Sequence, residues 1–382
     1  MKANILKMIG QAVEWKTVDE VVSTITAPTK VKKEVYKISG KIPIIDQGIE
    51  FIAGYTDEPL TPVKSDQYVI FGDHSEHIKS VDFAFIQGAD GLKILKPKYD
   101  NAKYIYHAFL NFYKKELSYK RHWTKAKETL IPIPPLSVQS QIVQILDTFT
   151  ELNDQLTAEL SMRQKQYQYY RDLLLSEHEL AKVGFEWKTL GEVVLPTNNI
   201  KWDESDLSYR YIDLSSVDKD NNNIGETLEI TSKNAPSRAQ KIVKKDDVIF
   251  ATTRPTQMRS ALIPPNLDGQ IASTGYCILR ANQNEVLPKW IYYNLQIDEF
   301  KIYLQGKQSG TAYPAISDGL IKQFKIPIPP LSVQSEIVAI LDTFDTLVNS
   351  ICEGLPKEIQ LRQKQYEYYR ERLLTFDAGD GV

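Results

Sequence analysis

The chain contains one block of ten residues twice. The segment IPIPPLSVQS occupies residues 131–140 and recurs without a change at residues 326–335, an offset of 195. Two shorter blocks repeat in the same order, EWKT from residues 14 and 186 and RQKQY from residues 163 and 362, with offsets of 172 and 199. Chance does not supply an identical block of this length with two more in order, so the chain is an internal duplication.

The two copies differ in their interiors. Between the EWKT and IPIPP blocks the second copy is longer by 23 residues, and the interiors show little resemblance. We therefore expect constant parts that meet the same partner twice and variable parts that meet two different ones. A chain of 382 residues suits two domains of ordinary size. The predicted organisation is an N-terminal extension at 1–12, a first variable domain at 13–135, a central helical region at 136–182, a second variable domain at 183–330 and a distal helical region at 331–382.

The segment after each IPIPP block predicts a long helix. The prolines themselves cannot be helical, because each restricts its own φ and favours an extended residue before it. Ser137 and Ser332 follow as candidate N-caps. Between Ser137 and Leu175 there is no glycine or proline, and apolar residues recur seven apart in two rows. This spacing predicts a coiled-coil helix of roughly 58 Å.

A coiled-coil helix needs a partner. The simplest partner is the equivalent helix of the other copy, packed antiparallel, and a helix of a different protein is the alternative. In the second copy Gly354 and Pro356 interrupt the pattern. We therefore expect a break near Gly354, with helix again from about Lys357.

The charge is unevenly distributed, although the net charge is only −3. The helical region 136–182 carries four basic and seven acidic residues, and residues 331–382 carry five and nine, so neither suits contact with phosphate. Residues 93–127 instead carry ten basic residues and two acidic ones, with aromatic residues between them. A basic stripe with interleaved aromatics predicts a face for duplex DNA.

The first interior offers DNA contacts in two segments. The run SYKRHWTKAK, from residue 118, is hard to explain as core, although an ordinary solvated surface is the alternative. The segment FGDHSEH, from residue 71, favours a DNA-reading loop or a turn over a metal site, because His74 and His77 lack a third ligand nearby. The predicted DNA contacts are His74, Lys98, Lys120, Arg121, His122, Trp123, Lys125 and Lys127.

The second interior contains two polar loops. Residues 251–260 read ATTRPTQMRS and follow a strand-like VIF run, and residues 305–313 could approach a DNA backbone closely through their glycines. Arginine can bind guanine O6 and N7, glutamine can pair with adenine, and threonine can contact phosphates or base edges. Solvated loops without a ligand are the alternative. The predicted contacts are Arg238, Lys241, Thr252, Thr253, Arg254, Thr256, Gln257, Arg259, Lys307, Gln308, Ser309, Thr311 and Tyr313.

The sequence contains no recognisable catalytic or metal-binding motif. A phosphate-binding loop, a nucleophile elbow, a zinc-protease motif and the tetrapeptide of amino-methyltransferases are all missing, so we predict no catalytic residue and no metal site. Cys277 and Cys352 lie far apart, which favours a reducing cytoplasm over a disulfide framework, and Cys277 lies in a strand-like run that predicts burial. No apolar run approaches ~20 residues and the N-terminus does not resemble a signal peptide, so no membrane contact is expected.

Together these features resemble one family. Two variable domains, each entered near EWKT and left through IPIPPLSVQS and a helix with RQKQY, are similar to the specificity subunit of type I restriction–modification enzymes. The resemblance covers nearly the whole chain. It implies an α+β fold in which two α/β target-recognition domains are separated by two long antiparallel coiled-coil helices, as a pseudo-two-fold internal repeat. Each domain would read one half of a split, asymmetric DNA target, and the helices would set the gap between the halves.

The resemblance also implies partners. Two methyltransferase subunits would dock on the conserved regions and bring S-adenosylmethionine, and restriction subunits would add DNA translocation and cleavage with ATP and Mg. This chain would bind no cofactor and would catalyse no reaction. The implied docking residues are Pro134, Pro135, Leu136, Gln139, Pro329, Pro330, Leu331, Gln334, Tyr169, Arg171, Tyr368 and Arg370.

Two other classes of function compete with this interpretation. A scaffold protein would explain the coiled-coil pattern but not the basic and polar interiors. An enzyme with a fused nuclease or methyltransferase would need the motifs that the sequence lacks. Duplex binding that weakens steeply with salt distinguishes the DNA-binding hypothesis from the scaffold.

Overall fold

The computed structural model describes residues 13–218, 221–310, 313–350 and 352–376. The predicted extension at 1–12 and the candidate Thr311 lie outside these residues. The chain forms two compact units, one of Met1–Gln155 with Gln360–Val382 and the other of Leu156–Ile359. The division falls within both helical regions, so each unit combines one variable domain with helical segments from both copies.

The first unit contains the first variable domain. Its strands and helices are β1 (Glu14–Thr17), α1 (Val18–Val21), β2 (Val22–Ile25), β3 (Ile42–Ile45), β4 (Gly54–Thr56), β5 (Tyr68–Gly72), β6 (Ile78–Val81), β7 (Ile86–Gln87), β8 (Leu92–Pro97), α2 (Ala102–Phe112), α3 (Trp123–Ala126) and β9 (Leu130–Ile133). One sheet has the strand order β2-β8-β5-β6 and is antiparallel, and the other has the order β4-β3-β7, with β3 and β7 parallel.

The central helix α4 (Leu136–Leu174) follows, with the short helix α5 (Glu177–Leu180) after it. The second variable domain contains β10 (Glu186–Thr189), α6 (Leu190–Val193), β11 (Val194–Leu195), β12 (Tyr209–Ile212), β13 (Leu228–Ile230), β14 (Ala239–Ile242), β15 (Val248–Ala251), β16 (Ser260–Leu262), β17 (Ile271–Ser273), β18 (Tyr276–Ala281), α7 (Pro288–Asn294), α8 (Asp298–Lys307), α9 (Asp318–Lys322) and β19 (Lys325–Ile328). The helices α10 (Leu331–Asn349) and α11 (Gly354–Leu374) complete the described chain.

The second unit repeats the sheet topology of the first. Its sheet β11-β18-β15-β16 corresponds to β2-β8-β5-β6 of the first unit. Its sheet β13-β12-β17-β14 corresponds to β4-β3-β7, because β12 and β17 are parallel in the one and β3 and β7 are parallel in the other. The strand β14 adds an edge to the second sheet. The interiors therefore share a fold that their sequences do not show.

Each variable domain begins and ends on one two-stranded ladder. The strand β1 pairs antiparallel with β9, so that Thr17 lies opposite Leu130. The strand β10 pairs with β19 in the same register, so that Thr189 lies opposite Lys325. The proline-rich block is therefore extended, as its sequence predicts, and proline is tolerated because the ladder has only two strands.

The long helices start two residues earlier than N-caps at the serines predict. α4 begins at Leu136 and α10 at Leu331, with Pro330 in the N-cap position of α10. Ser137 and Ser332 therefore lie inside the helices, and the N-cap prediction for them is wrong. A proline loses nothing at a helix start, because the N–H that it lacks would have no helical partner there.

In the first unit, the beginning of α4 packs antiparallel against the end of α11. The ring of Phe149 stacks on that of Tyr369, with 5.2 Å between the centroids. Four residues further along α4, the Asn153 amide donates to Gln363 Oε1 at 3.2 Å. The residue number on α11 falls as that on α4 rises, which establishes the antiparallel direction.

In the second unit, the later part of α4 packs against α10. The ring of Tyr170 stacks on that of Phe344 at 5.6 Å, and Tyr167 lies against the same ring. Phe149 and Phe344 are equivalent in the two copies, as are Tyr369 and Tyr170. The same contact therefore forms once in each unit, and the predicted pairing of each helix with the other copy is confirmed.

The predicted break in the distal helical region is present. α10 ends at Asn349 and α11 begins at Gly354, three residues before the predicted Lys357. Gly354 has φ 73°, and a Cβ there would lie 2.4 Å from the carbonyl oxygen of Thr346. Only glycine fits this position, because another residue would be strained and would collide with backbone.

The hydrophobic core of each unit contains both its domain and its helices. In the first unit Tyr104, Ile105 and Phe109 of α2 pack with Leu146 of α4 and Leu374 of α11. In the second unit Trp290, Ile291 and Phe300 pack with Tyr167 of α4 and Leu341 of α10. Cys277 lies in this second core as predicted, and burial raises the pKa of its thiol to about 12. Among the described helices, none is long and apolar enough to cross a membrane.

A buried glutamine fastens each domain to its helix. Gln139 accepts from Asn101 N at 2.9 Å and donates to Asp100 Oδ1 at 2.8 Å and Pro134 O at 2.9 Å. Gln334 also makes three contacts in the second unit, accepting from Leu287 N and donating to the backbone oxygens Glu285 O and Pro329 O, each at 2.9 Å. Both side chains are buried and fully paired within the chain, which corrects the prediction that they dock a partner.

An aspartate on each long helix makes a second attachment. Asp147 lies 2.6 Å from Lys103 Nζ, and the equivalent Asp342 lies 2.6 Å from Lys289 Nζ. Asp147 also faces His107 Nε2 at 3.6 Å, whereas Asp342 accepts from Tyr293 Oη at 2.6 Å. Burial lowers the pKa of His107, and this outweighs the opposing effect of Asp147. The lysine–aspartate ion pair is therefore present in both units, whereas the second partner of the aspartate differs.

Candidate nucleic-acid interface

Three loops of the first unit meet at the end of strand β5. Asp73 follows this strand, and its N–H donates to Gly91 O at 2.6 Å. The N–H of His122 donates to Asp73 O at 2.8 Å. This three-loop junction brings together residues 73–77, the turn at 88–91 and residues 114–122, which carry four of the eight DNA contacts predicted in this domain.

The second unit has the same junction at the end of strand β15. Thr252 N donates to Gly275 O at 2.8 Å, and Ile316 N donates to Thr252 O at 2.9 Å. The described residues joined here are 252–259, 273–275, 308–310 and 313–316. Thr252 thus takes the place of Asp73, Gly275 that of Gly91, and Ile316 that of His122. One backbone arrangement is built from two unrelated sequences.

Each three-loop junction carries an exposed tyrosine with a planar side chain stacked on it. In the first unit the ring of His74 stacks on Tyr119, with 5.6 Å between centroids and 22° between planes. In the second unit the guanidinium of Arg254 lies 5.6 Å from the ring centroid of Tyr313. The two tyrosines are 94% and 72% exposed. Tyr119 lies three residues before His122 and Tyr313 three before Ile316, so the tyrosines are equivalent.

A buried carboxylate holds residues 114–122 of the first unit, the basic loop, in place. Glu76 accepts from Tyr113 Oη at 2.6 Å and from the N–H groups of Glu116 and Leu117 at 2.8 Å each. Burial acts to raise the pKa of Glu76, but these hydrogen bonds outweigh it and the pKa is lowered. Glu76 and Leu117 have φ of 56° and 55°, so the loop conformation is strained and depends on these bonds.

Gln47 holds the other loop of this junction. Its Oε1 accepts from His74 N at 3.1 Å, and its Nε2 donates to Asp90 O at 3.1 Å. Its carbonyl oxygen also lies 3.3 Å from His77 Nδ1, while His74 Nδ1 lies 3.2 Å from Lys120 O. The two histidines therefore have separate partners and do not form a common ligand pair.

The loop that carries Arg254 is fixed through its backbone. Arg254 N donates to Pro314 O at 2.7 Å, and Thr253 forms a bridge with Ala315. Thr252 Oγ1 donates to Gly275 O at 2.9 Å. Arg254 and Met258 have φ of 50° and 56° at the two ends of a 3₁₀ turn. The loop is thus held in a conformation that non-glycine residues rarely adopt.

Several predicted lysines are neutralised by acids within the chain. Lys120 and Lys125 both form ion pairs with Glu116, which lowers the pKa of that carboxyl to about 2. Lys127 pairs with Asp19 at 3.4 Å, and Lys241 pairs with Asp318 at 2.6 Å. The positive charge that residues 93–127 offer to DNA is therefore smaller than the count of ten basic residues implies.

The structure corrects the prediction for residues that lie inside. His122 is buried, with Nε2 2.7 Å from Ser118 O, and Thr252 is buried at the second junction. Trp123 is partly exposed and packs against Phe71, and the exposed Lys98 donates from Nζ to the carbonyl oxygens of Asp19 and Glu20, away from the junction, so the DNA contacts of these two residues stay predictions. The side chains of His122 and Thr252 hold their domains together, and their buried groups do not face a ligand.

The remaining candidates lie at the junctions. Arg121 is exposed on the basic loop, and Arg238 reaches the second junction because its carbonyl oxygen accepts from Thr274 N at 2.8 Å. Arg259 donates to Leu214 O at 3.0 Å, and Gln308 Oε1 is buried without a hydrogen bond from a described residue. The other candidates here are at least partly exposed: Thr253, Thr256, Gln257, Lys307 and Ser309.

The predicted docking residues divide in the same way. Pro134, Pro329 and Arg171 are buried together with the two glutamines, so the prediction is corrected for them. Arg370 is partly exposed and donates to Asn111 Oδ1 at 3.4 Å. Exposed in both copies are Pro135 and Pro330, Leu136 and Leu331, and Tyr169 and Tyr368.

Tyr119, Glu76 and Gln47 complete the first junction but were not predicted as site residues. Gln47 lies 27 residues from His74 along the chain, and Glu76 lies 40 residues from Glu116. No local pattern announces contacts at such separations. The tyrosine spacing before His122 and Ile316 becomes visible only when the backbone junctions are superposed.

The sequence matches one family across both copies. A family model described as the type I restriction modification DNA specificity domain matches residues 12–162 and 182–361. A type I restriction enzyme specificity subunit of Escherichia coli is 36% identical, over 98% of this chain and 96% of its own. A putative type I restriction enzyme specificity subunit of Haemophilus influenzae is 31% identical, over 96% of both chains.

The fold also matches a solved structure. The crystal structure of a type I restriction–modification system S subunit from M. genitalium has a TM-score of 0.59 to this chain, at 16% identity over 95% of this chain and 96% of that one. With the two family-model matches, this confirms the predicted α+β fold with its internal repeat and long central helix.

Proposed function

Since the chain belongs to the family of type I restriction–modification DNA specificity domains, we propose that it selects the DNA target of such a complex. Each unit reads one half of a split, asymmetric target through its three-loop junction. The helical regions set the gap between the halves. The chain works in the cytoplasm, together with subunits that modify or cut the DNA.

One observation carries this proposal. The two three-loop junctions share their backbone hydrogen bonds but present different side chains, His74 and Arg121 in one and Arg254 and Gln257 in the other. A protein that recognises two different DNA sequences in the same way needs the same backbone scaffold twice, with different polar side chains on each copy. Side chains on base edges provide sequence information, whereas the scaffold only has to hold them.

The two helical regions offer equivalent surfaces for two copies of one partner protein. In the first unit Leu136, Leu361 and Tyr368 are exposed, and in the second unit their equivalents Leu331, Met162 and Tyr169 are exposed. Exposed apolar and aromatic residues at equivalent positions fit the same protein surface twice. We assign these surfaces to methyltransferase subunits, and restriction subunits join the same complex.

The chain itself contributes no chemistry in this proposal. The methyltransferase subunits supply S-adenosylmethionine, and the restriction subunits supply ATP and Mg for translocation and cleavage. The test is direct: the purified chain should neither methylate nor cut its target DNA, and methylation should appear when the native methyltransferase subunits are added.

Mapping of methylated bases tests the recognition. The chain and its methyltransferase subunits are expressed in a host without adenine methylation, and modified bases are sequenced across the genome. We expect one motif in two parts with a fixed gap. Exchange of residues 185–330 for those of a relative should change one part only, and a change in both parts contradicts the assignment of one half to each unit.

A binding series separates this function from that of a scaffold. Binding of the complex to a random duplex should weaken steeply as salt rises, because phosphate contacts release counterions. Binding that does not depend on salt would support a protein scaffold instead.

A further inference from the structure

The pair of Arg254 and Tyr313 has features of a prearranged base contact. Tyr313 is largely exposed, yet the guanidinium of Arg254 covers one face of its ring from the neighbouring loop. The equivalent Tyr119 is covered by His74 in the first unit. An exposed tyrosine covered by an imidazole or a guanidinium group therefore occurs at the same place in two interiors that otherwise share little sequence.

The electrostatic surroundings of Arg254 differ from those of two other arginines in this unit, Arg163 and Arg280. Arg163 pairs with Glu159 at 2.7 Å, and Arg280 pairs with Asp247 at 2.8 Å. Arg254 forms no ion pair with a residue that the structure describes. Its charge is placed against the π face of Tyr313 alone, which leaves the N–H donors at its edge without a carboxylate partner.

The geometry is fixed before any ligand binds. The backbone of Arg254 is in the left-handed region, and its N–H is bonded to Pro314, the residue after Tyr313. The backbone thus aligns the side chain with the ring. An arginine that is already ordered loses less conformational entropy on binding, and strained backbone is often found at binding sites.

We propose that Arg254, held on Tyr313, recognises a guanine in the half of the target that the second unit reads. This inference rests on the proposed function and identifies one base contact within it. The planar fork of the guanidinium matches the O6 and N7 acceptors of guanine in the major groove, and no other base presents two acceptors there. Tyr313 is a positioning residue, because it acts on the base through Arg254.

The experiment measures base preference. The complex of the chain with its methyltransferase subunits methylates a DNA library in which each half of the target is randomised, and methylated molecules are sequenced. The exchange of residues 185–330 identifies the half that the second unit reads. Wild type should require guanine at one position or more of that half.

Four variants give the decisive comparison. Arg254→Ala and Arg254→Lys should each lower the preference for guanine at one position of that half by about tenfold, because lysine keeps the charge but not the fork. Tyr313→Phe keeps the aromatic face and should retain the preference, whereas Tyr313→Ala should weaken it. The other half of the target should be unchanged in all four.

Arg210→Ala is the matched control. Arg210 is an exposed arginine of the same domain that donates to Thr227 Oγ1, and the motif should not change when it is replaced. If Arg254→Lys methylates the wild-type motif with unchanged guanine preference, the inference is wrong. It is also wrong if Arg254→Ala slows methylation equally for all sequences, which is the result for a phosphate contact. Failure of the proposed function would differ, because wild type would then show no motif in two parts.

Discussion

Phe149 stacks on Tyr369 at 5.2 Å in the first unit, and their equivalents Phe344 and Tyr170 stack at 5.6 Å in the second. In each pair, one ring comes from the first part of one copy's helical region and the other from the later part of the other copy's helical region. Each variable domain is therefore supported by helical segments from both copies. The duplication is part of the folded structure, because neither copy contains a complete unit.

The Phe149–Tyr369 contact should be measurable as a coupling energy. We expect a double-mutant cycle with alanine at both positions to give about 0.5–1.5 kcal/mol, the range for aromatic pairs. The measurement is the free energy of unfolding in urea. The exposed Tyr99 of the same unit serves as the control, since its replacement together with Phe149→Ala should be additive. Additivity of Phe149→Ala and Tyr369→Ala would show that the stacking contributes nothing.

Gln139→Ala should destabilise the first unit more than an ordinary polar substitution. It removes three hydrogen bonds of a buried side chain and leaves the N–H of the partly buried Asn101 without its partner. The expected loss is about 2–4 kcal/mol. Gln144→Ala, at an exposed position of the same helix, should change stability by less than about 0.5 kcal/mol. Equal effects of the two substitutions in thermal unfolding would contradict the fastening role.

Glu76→Gln tests the carboxylate that holds the basic loop. The folded-state pKa of Glu76 lies below its ordinary value of 4.5, so the carboxylate stabilises the fold above that value and this stabilisation is lost as pH falls through the folded-state pKa. The variant should be less stable than wild type at neutral pH, and the difference should shrink in acid. The exposed Glu58→Gln is the control. Unfolding midpoints across the acid range give the result, and a difference that stays constant with pH would refute it.

Gly354→Ala should weaken the junction between α10 and α11. The alanine Cβ would lie 2.4 Å and 2.6 Å from the carbonyl oxygens of Thr346 and Leu347, at a positive φ. A cost of about 1–3 kcal/mol is expected from such strain. Gly306→Ala is a matched comparison, because nothing lies within 4 Å of its Cβ position in α8 and alanine favours helix. Thermal melting should show a loss for the first variant and none for the second.

His74 should read a different kind of base edge from Arg254, on the proposed function. Its Nδ1 lies 3.2 Å from Lys120 O, and a carbonyl oxygen only accepts, so the neutral ring has its proton on Nδ1 and an acceptor at Nε2. We expect His74→Ala to relax a preference for an adenine or cytosine amino group in the half that the first unit reads. His178→Ala, at an exposed histidine on α5, is the control for methylome sequencing. A relaxed preference in the other half would contradict this assignment.

The sequence predicted the duplication and the long helices of this protein better than its DNA-contact and docking residues. Identical blocks announced the duplication, and the seven-residue spacing announced α4, because both are local patterns. Gln139 was expected to dock a partner because the family resemblance implied it, and only the fold shows that Asp100 and Asn101 surround it. The charge of Lys120 and Lys125 was counted as available to DNA, yet both contact Glu116, since ion pairing depends on geometry that a count ignores.

The two ladders have a consequence for how such a protein evolves. Thr17 lies opposite Leu130, and Thr189 opposite Lys325, so the chain leaves each domain at the point where it entered. An insertion or deletion between these positions changes the domain without altering the register at its base. Genetic recombination within the short identical stretches can therefore replace one variable domain by another on the same two-stranded ladder. Insertions such as the 23 additional residues of the second copy leave the helices unchanged.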